Sequence, residues 1–129
     1  MRRVLVDTNV LLAALVFPGG VAGLAFSRVI GEERLALTQQ ILDEAQDVVG
    51  RKWPDRITAL NELLAALDYE LLHASPSSIM IRDPHDQPIL DAALSNDVDV
   101  ILTGDKDFLT LNTERPAILD PRAYLASDK

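Results

Sequence analysis

The chain has 129 residues, 48% of them hydrophobic and 25% charged, enough to bury one core, too few for two domains, and unlike the composition of a disordered chain. It contains no cysteine, which excludes disulfides, thiolate catalysis and cysteine-held zinc together. Its 20 acidic and 12 basic residues give a formal charge of −8, which argues against binding nucleic acid through a generally basic surface, although acids gathered around divalent cations in one cleft reverse the local sign.

Met1-Arg2-Arg3 has the basic start of a signal peptide, but Asp7 and Asn9 interrupt the apolar run behind it. No apolar stretch approaches the ~20 residues of a membrane span. The expectation is a cytoplasmic protein with no membrane partner. Val4-Leu5-Val6 has no polar alternation and reads as a central parallel strand covered on both faces. Asp7 follows at its carboxyl end, the edge where open α/β sheets keep their ligand sites. The helical run Val10 to Leu15 comes next, then a break at Phe17-Pro18-Gly19-Gly20. Val21 to Ile30 is predicted as a buried helix closed by Gly31.

Leu35-Ala36-Leu37-Thr38 is a second strand, with Thr38 placed to cap the next helix. That helix, Gln39 to about Gly50, carries Ile41, Ala45, Val48 and Val49 on one stripe. Glu44 falls at the margin of the stripe and leans toward the sheet, whereas Asp43 and Asp47 point away. Pro54 opens a further helix, with Ile57, Leu60, Leu64 and Leu67 on its buried face. Tyr69 to Leu72 is a third strand, His73 to Ser78 a polar connection, and Ile79-Met80-Ile81 is unassigned.

A helix starts within Arg82 to Pro88 and runs to about Asn96. Counting about 100° per residue puts Asp86 over the same face as Ile89, Leu90 and Ala93, so Asp86 faces inward at a helix start. Val98 to Thr103 is a fourth strand, followed by Gly104-Asp105-Lys106-Asp107-Phe108, an apolar strand again delivering acids at its carboxyl end. Ala117-Ile118-Leu119 is the last strand and Pro121 to Leu125 a terminal helix. Strands alternating with helices predict an α/β/α layered fold with a mostly parallel sheet, in one domain over residues 1–129.

In a parallel sheet the carboxyl ends of the strands share one edge. Topology therefore brings Asp7, Asp86 and Asp105 together, with Asp107 just beyond and Glu44 at a helix margin. A pair of like charges at ~4 Å costs about 4 kcal/mol even at an effective dielectric near 20, so such a group must raise its pKa values, disperse or bind cations. Oxygen ligands without cysteine or a histidine pair favour Mg²⁺ or Mn²⁺, whose chemistry on phosphate oxygens is phosphodiester hydrolysis. Singly, Asp7, Asn9, Asp83 and Asp86 also suit helix caps, and Asp105 and Asp107 suit a turn. His73 and His85 read as exposed loop residues, and Trp53 as packing.

Val4 to Leu12 with its Asp7-Thr8-Asn9, Leu42-Asp43-Glu44, Arg82-Asp83-Pro84-His85-Asp86 with the alanine-rich helix behind it, and Ile101 to Phe108 resemble the PIN domain. The resemblance is closest to the VapC-like toxins of prokaryotic toxin–antitoxin systems and extends from Arg3 to Leu125. It implies a Rossmann-like fold and a Mg²⁺- or Mn²⁺-dependent ribonuclease. It also implies a homodimer restrained by a small antitoxin protein.

Carried over by position, Asp7, Glu44, Asp86 and Asp105 are the acidic quartet, with metal held by Asp7, Asp86 and Asp105 and by Asp107 as an auxiliary acid. Thr8, Asn9 and Thr103 support them by hydrogen bonds. An offset of one residue would set Gln87 in place of Asp86. Arg82 and Lys106 are the basic residues nearest this edge and the candidates for RNA phosphate, while Arg2 and Arg3 belong at the other end of the first strand. Leu15, Val16, Phe17 and Leu24 are candidates for a dimer or antitoxin surface.

Two other readings compete. A PIN-like module that binds RNA or protein without cutting it requires that the acids fail to converge or hold no metal. A phosphatase of the haloacid-dehalogenase type needs an aspartate at the position of Asn9. Dinucleotide binding lacks its glycine-rich loop after the first strand.

Overall fold

The computed structural model describes residues 1–77, 79–111 and 113–127. Five strands, β1 (Arg3–Val6), β2 (Arg34–Thr38), β3 (Tyr69–Leu72), β4 (Val100–Leu102) and β5 (Ala117–Leu119), form one sheet in the order β3-β2-β1-β4-β5. Every pairing is parallel. Val4, Leu5 and Val6 of β1, Ala36 and Leu37 of β2, and all of β4 are essentially inaccessible to solvent. Covering both faces of the sheet is what an uninterrupted aliphatic run requires.

Helices α1 (Thr8–Val16) and α2 (Val21–Glu32) join β1 to β2, α3 (Gln39–Lys52) and α4 (Ile57–Ala66) join β2 to β3, and α5 (Gln87–Ser95) carries the chain to β4. A single turn, α6 (Lys106–Leu109), precedes β5, and α7 (Pro121–Ala126) ends the fold. Helix α1 packs on α2, α3 and α4, and α2 on α7. The strand order reverses between β1 and β4, whose carboxyl ends thus border the crevice where doubly wound sheets bind ligands. Among the described residues no single helix is long and apolar enough to cross a membrane.

Several predicted boundaries move. Helix α2 continues through Gly31 to Glu32 and is capped at Glu33, because the Glu33 carboxylate is tied into the core by Arg2 and Tyr124 and the helix must extend to bring it there. Pro54 opens a 3₁₀ turn, Pro54–Arg56, before α4 begins, and only Leu60 of the predicted apolar face is fully buried. Ile79 to Ile81 has no regular structure, and Ser78, the predicted end of the polar connection, lies outside the described residues. Strand β4 is shorter than 98–103, although backbone bonds from Asp99 to Arg3 and from Thr103 to Leu119 continue its pairing on both sides. Arg2 and Arg3 sit at the amino-terminal edge as expected, paired with Glu33 and Glu70.

Candidate functional site

Asp7 ends β1 and caps α1, its Oδ1 accepting from the Val10 amide at 2.9 Å. Its Oδ2 accepts a short hydrogen bond from Thr103 Oγ1, which arrives from the end of β4. Thr103 is fully buried and also accepts from the Asp105 amide at 3.0 Å. The strand neighbours of the switch point are thereby locked to each other through one hydroxyl. Asp105 caps α6, with Oδ1 accepting from the Asp107 amide at 2.8 Å.

Glu44 reaches the same place from α3. Thr8 donates to its Oε2 at 3.0 Å and Gln40 to its Oε1 at 2.9 Å, and the ring Nε2 of His85 lies 2.7 Å from Oε1. Gln40 also donates to the His85 carbonyl at 2.8 Å. Asp86 precedes α5 without capping it. It is only 8% exposed, and its Oδ2 is the one buried side-chain polar atom among the described residues that has no hydrogen bond.

Asp7, Thr8, Asn9, Glu44, Asp86, Ile89, Asp105 and Phe108 line one cavity of about 60 Å³, room for an ion and a few waters. All four acids of the expected quartet converge there. Asp86, not Gln87, lines the cavity: Gln87 turns away to the Ile81 amide, the Ile79 carbonyl and Asp91. Asp107 does not line the cavity and is paired with Arg82 at 2.9 and 3.2 Å, so Arg82 is already engaged with an acid. Lys106 and Asn9 are exposed. A larger cavity of about 380 Å³ lies at the opposite edge of the sheet, but the acids there that face basic residues, Glu33 and Glu70, are neutralised by Arg2 and Arg3.

Gln40, Asp83 and His85 are site neighbours that sequence reasoning misses. His85, expected as a plain loop residue, is exposed, but the turn held by Asp83 Oδ1 and the His85 amide, 2.9 Å apart, aims its ring at Glu44. Four residues separate Gln40 from Glu44, so this contact follows from helical spacing; the one from His85 spans 41 positions and leaves no local signal.

The acids strain against one another. Burial pushes the Asp7 carboxyl up, the bonds from Thr103 and Val10 pull it down, and the charges of Asp105 and Glu44 push it up again, with a net rise. Asp86 is pushed up to about 6 by burial, by Asp105 and by Asp83. A carboxyl with a raised folded pKa holds protons that the unfolded chain has released, so stability falls as pH rises between the two values. For Asp86 this window runs from 3.8 to about 6. The thermal midpoint of the metal-free protein is expected to drop between about pH 4.5 and pH 6, as followed by circular dichroism; a midpoint that climbs over this range contradicts the repulsion.

The donor set fits a hard divalent cation: four carboxylates, hydroxyl and amide support behind them, no sulfur ligand, and a buried oxygen without a partner. A family model described as the PIN domain matches residues 3–107. No curated protein matches the sequence. In the crystal structure of VapBC2 from Rickettsia felis bound to a DNA fragment from their promoter, one chain superposes with a TM-score of 0.66 at 12% identity, covering 92% of this chain and 98% of that one. The likeness shows a shared fold.

Proposed function

The chain belongs to the PIN-domain family, and from that premise we propose that it is a metal-dependent endoribonuclease, the toxin of a toxin–antitoxin pair acting in the cytoplasm. The observation that carries the reading is the convergence of Asp7, Glu44, Asp86 and Asp105 on one cavity, with a buried Asp86 oxygen left unpaired. Asp7, Asp86 and Asp105 are the residues to hold Mg²⁺ or Mn²⁺. The ion supplies charge neutralisation at the phosphate and a more acidic water.

The chain does the rest. Thr103 fixes Asp7 against rotation, and the α1 amide at Val10 fixes its other oxygen. Thr8, Gln40 and His85 hold Glu44 in one orientation, where it serves to accept the proton of the attacking water. Lys106, exposed beside Asp105, and Arg82 once released from Asp107, meet the phosphate backbone and position RNA without reading its sequence. Phe17 and Leu24, 66% and 51% exposed around the α1–α2 corner, supply the apolar face for a second copy or an antitoxin; sizing of the wild type against Phe17→Asp at micromolar concentration tests it, and an unchanged profile with and without the partner rejects it.

The purified chain is expected to cut single-stranded or structured RNA when Mg²⁺ or Mn²⁺ is added and to stop when EDTA is added, followed on denaturing gels. RNA bound but never cut, with metal present, favours the non-catalytic module instead.

A further inference from the structure

We propose that a cavity at the carboxyl ends of β2 and β3 holds one base of the RNA, with a preference for guanine, while the adjoining phosphate lies at the acids. The site rests on the nuclease reading for what brings RNA to this edge of the sheet. The cavity measures about 190 Å³ and is lined by the buried Thr38 and Leu72 together with Gln39, Gln40, His73 and Pro88, which are open to solvent in whole or part. Pockets for drug-sized ligands begin near ~300 Å³, so the space suits one planar ring system and not a whole cofactor. Gln40 joins it to the acidic cavity: it lines the first and donates to Glu44, which lines the second. The acids gather at the ends of β1 and β4, and β1 pairs with β2, so the two cavities lie within one or two strand spacings, about 5 to 10 Å. That is the reach of a nucleotide from its phosphate to its base.

Charge and hydrogen bonding select the occupant. The chain carries a formal charge of −8, yet none of the residues lining this cavity is acidic. The amide nitrogens of both glutamines are already engaged: Gln39 donates to Asp43 at 2.9 Å, and Gln40 to Glu44 and to the His85 carbonyl at 2.9 and 2.8 Å. What each has left is a carbonyl oxygen that accepts no bond among the described residues. Two acceptors suit guanine, whose N1–H and N2–H₂ lie side by side on its pairing edge, better than uracil with its one N–H. The ring nitrogens of His73 are also without a partner among the described residues, and its exposed ring offers a stacking face.

Two fluorescein-labelled RNA decamers, one all uridine and one with a single central guanosine, test this with Mn²⁺ present. Binding is read by fluorescence anisotropy and cut sites on sequencing gels. The wild type is expected to bind the guanosine decamer about fivefold more tightly, as one net hydrogen bond gives, and to cut it at a fixed distance from the guanosine. Gln39→Ala is expected to bring the affinity ratio of the two decamers to one. His73→Ala is expected to weaken both about tenfold while keeping their ratio, and His73→Phe to restore them. Both positions are exposed, and unchanged thermal melts verify the fold. Equal binding and unpositioned cutting of the two decamers by the wild type, or a preference that survives Gln39→Ala, overturns the base site and leaves the nuclease reading standing. A guanosine preference in binding with no cutting supports the base site and overturns the nuclease reading. RNA neither bound nor cut overturns both.

Discussion

Replacing Asp7 by Asn is expected to lower RNA cleavage by about a thousandfold or more, equivalent to ~4 kcal/mol of transition-state stabilisation, while the thermal midpoint of the metal-free protein is expected to hold or rise. The two halves of this result have one cause. Asp7 is buried beside Asp105 and Glu44, and its carboxyl is pushed up by burial and by those charges against the bonds from Thr103 and Val10. Asparagine keeps an oxygen for the Val10 amide, so the α1 cap survives, and it removes one of the repelling charges. What it cannot keep is an anionic ligand for the cation. Cleavage assays and thermal melts on one preparation separate this from damage to the fold, because a merely misfolded variant loses both activity and midpoint. Asp7→Asn that cuts RNA at the wild-type rate refutes the assignment.

Glu33→Ala is expected to cost about 3 kcal/mol of stability, at the lower end for breaking a buried charge pair because Arg2 retains some access to water, and to lower the thermal midpoint by about 10 °C. The Glu33 side chain is fully buried at the amino-terminal edge of the sheet. It receives Arg2 through both oxygens at 3.0 and 3.1 Å and the Tyr124 hydroxyl at 2.5 Å. Arg28 completes the lock, donating to the carbonyls of Tyr124, Leu125 and Ser127 with its guanidinium 4.9 Å from the Tyr124 ring. Without the carboxylate, Arg2 and the Tyr124 hydroxyl lose their shared acceptor, and α7 loses its anchor to β1 and α2.

The pH dependence has a definite sign. Burial alone would raise the Glu33 carboxyl, but the bonds from Arg2 and Tyr124 together with the Arg2 charge outweigh it and hold it below its usual 4.5. A depressed carboxyl contributes stability that is present above the unfolded value and is lost as pH falls through the folded one. Glu33→Ala therefore removes part of the acid sensitivity below about pH 4.5 and leaves the loss between about pH 4.5 and pH 6, which belongs to Asp86, in place. Chemical denaturation at pH 3.5, pH 4.5 and pH 7 measures both, and a variant as stable as the wild type at pH 7 contradicts the lock.

These two residues mark what the sequence shows and what it hides. Asp7 is legible because two local signals coincide: an unbroken aliphatic strand ends, and a capping residue begins a helix. The same logic exposes Asp105, and helical phase exposes Glu44 and Asp86. Parallel topology then brings them to one edge without any knowledge of contacts. Glu33 shows nothing of the kind. Its partners are 31 and 91 residues away, and Gly31, the nearest local signal, points to a helix end that tertiary pairing overrides. The ring of His85 is hidden for the same reason, since only the folded turn brings it to Glu44. Asp107 is an intermediate case: its position after a strand end is readable, but its pairing with Arg82 comes from the way the loop before α5 folds back.

Calorimetric titration of Mg²⁺ and Mn²⁺ into the wild type and Asp7→Asn, with RNA cleavage measured on the same samples, decides whether the convergent acids hold a catalytic metal. The wild type is expected to bind metal and cut RNA, and both the tight binding and the cleavage are expected to disappear in the variant. Metal binding that is equal in the two proteins, or cleavage by a wild type that binds no metal, contradicts it.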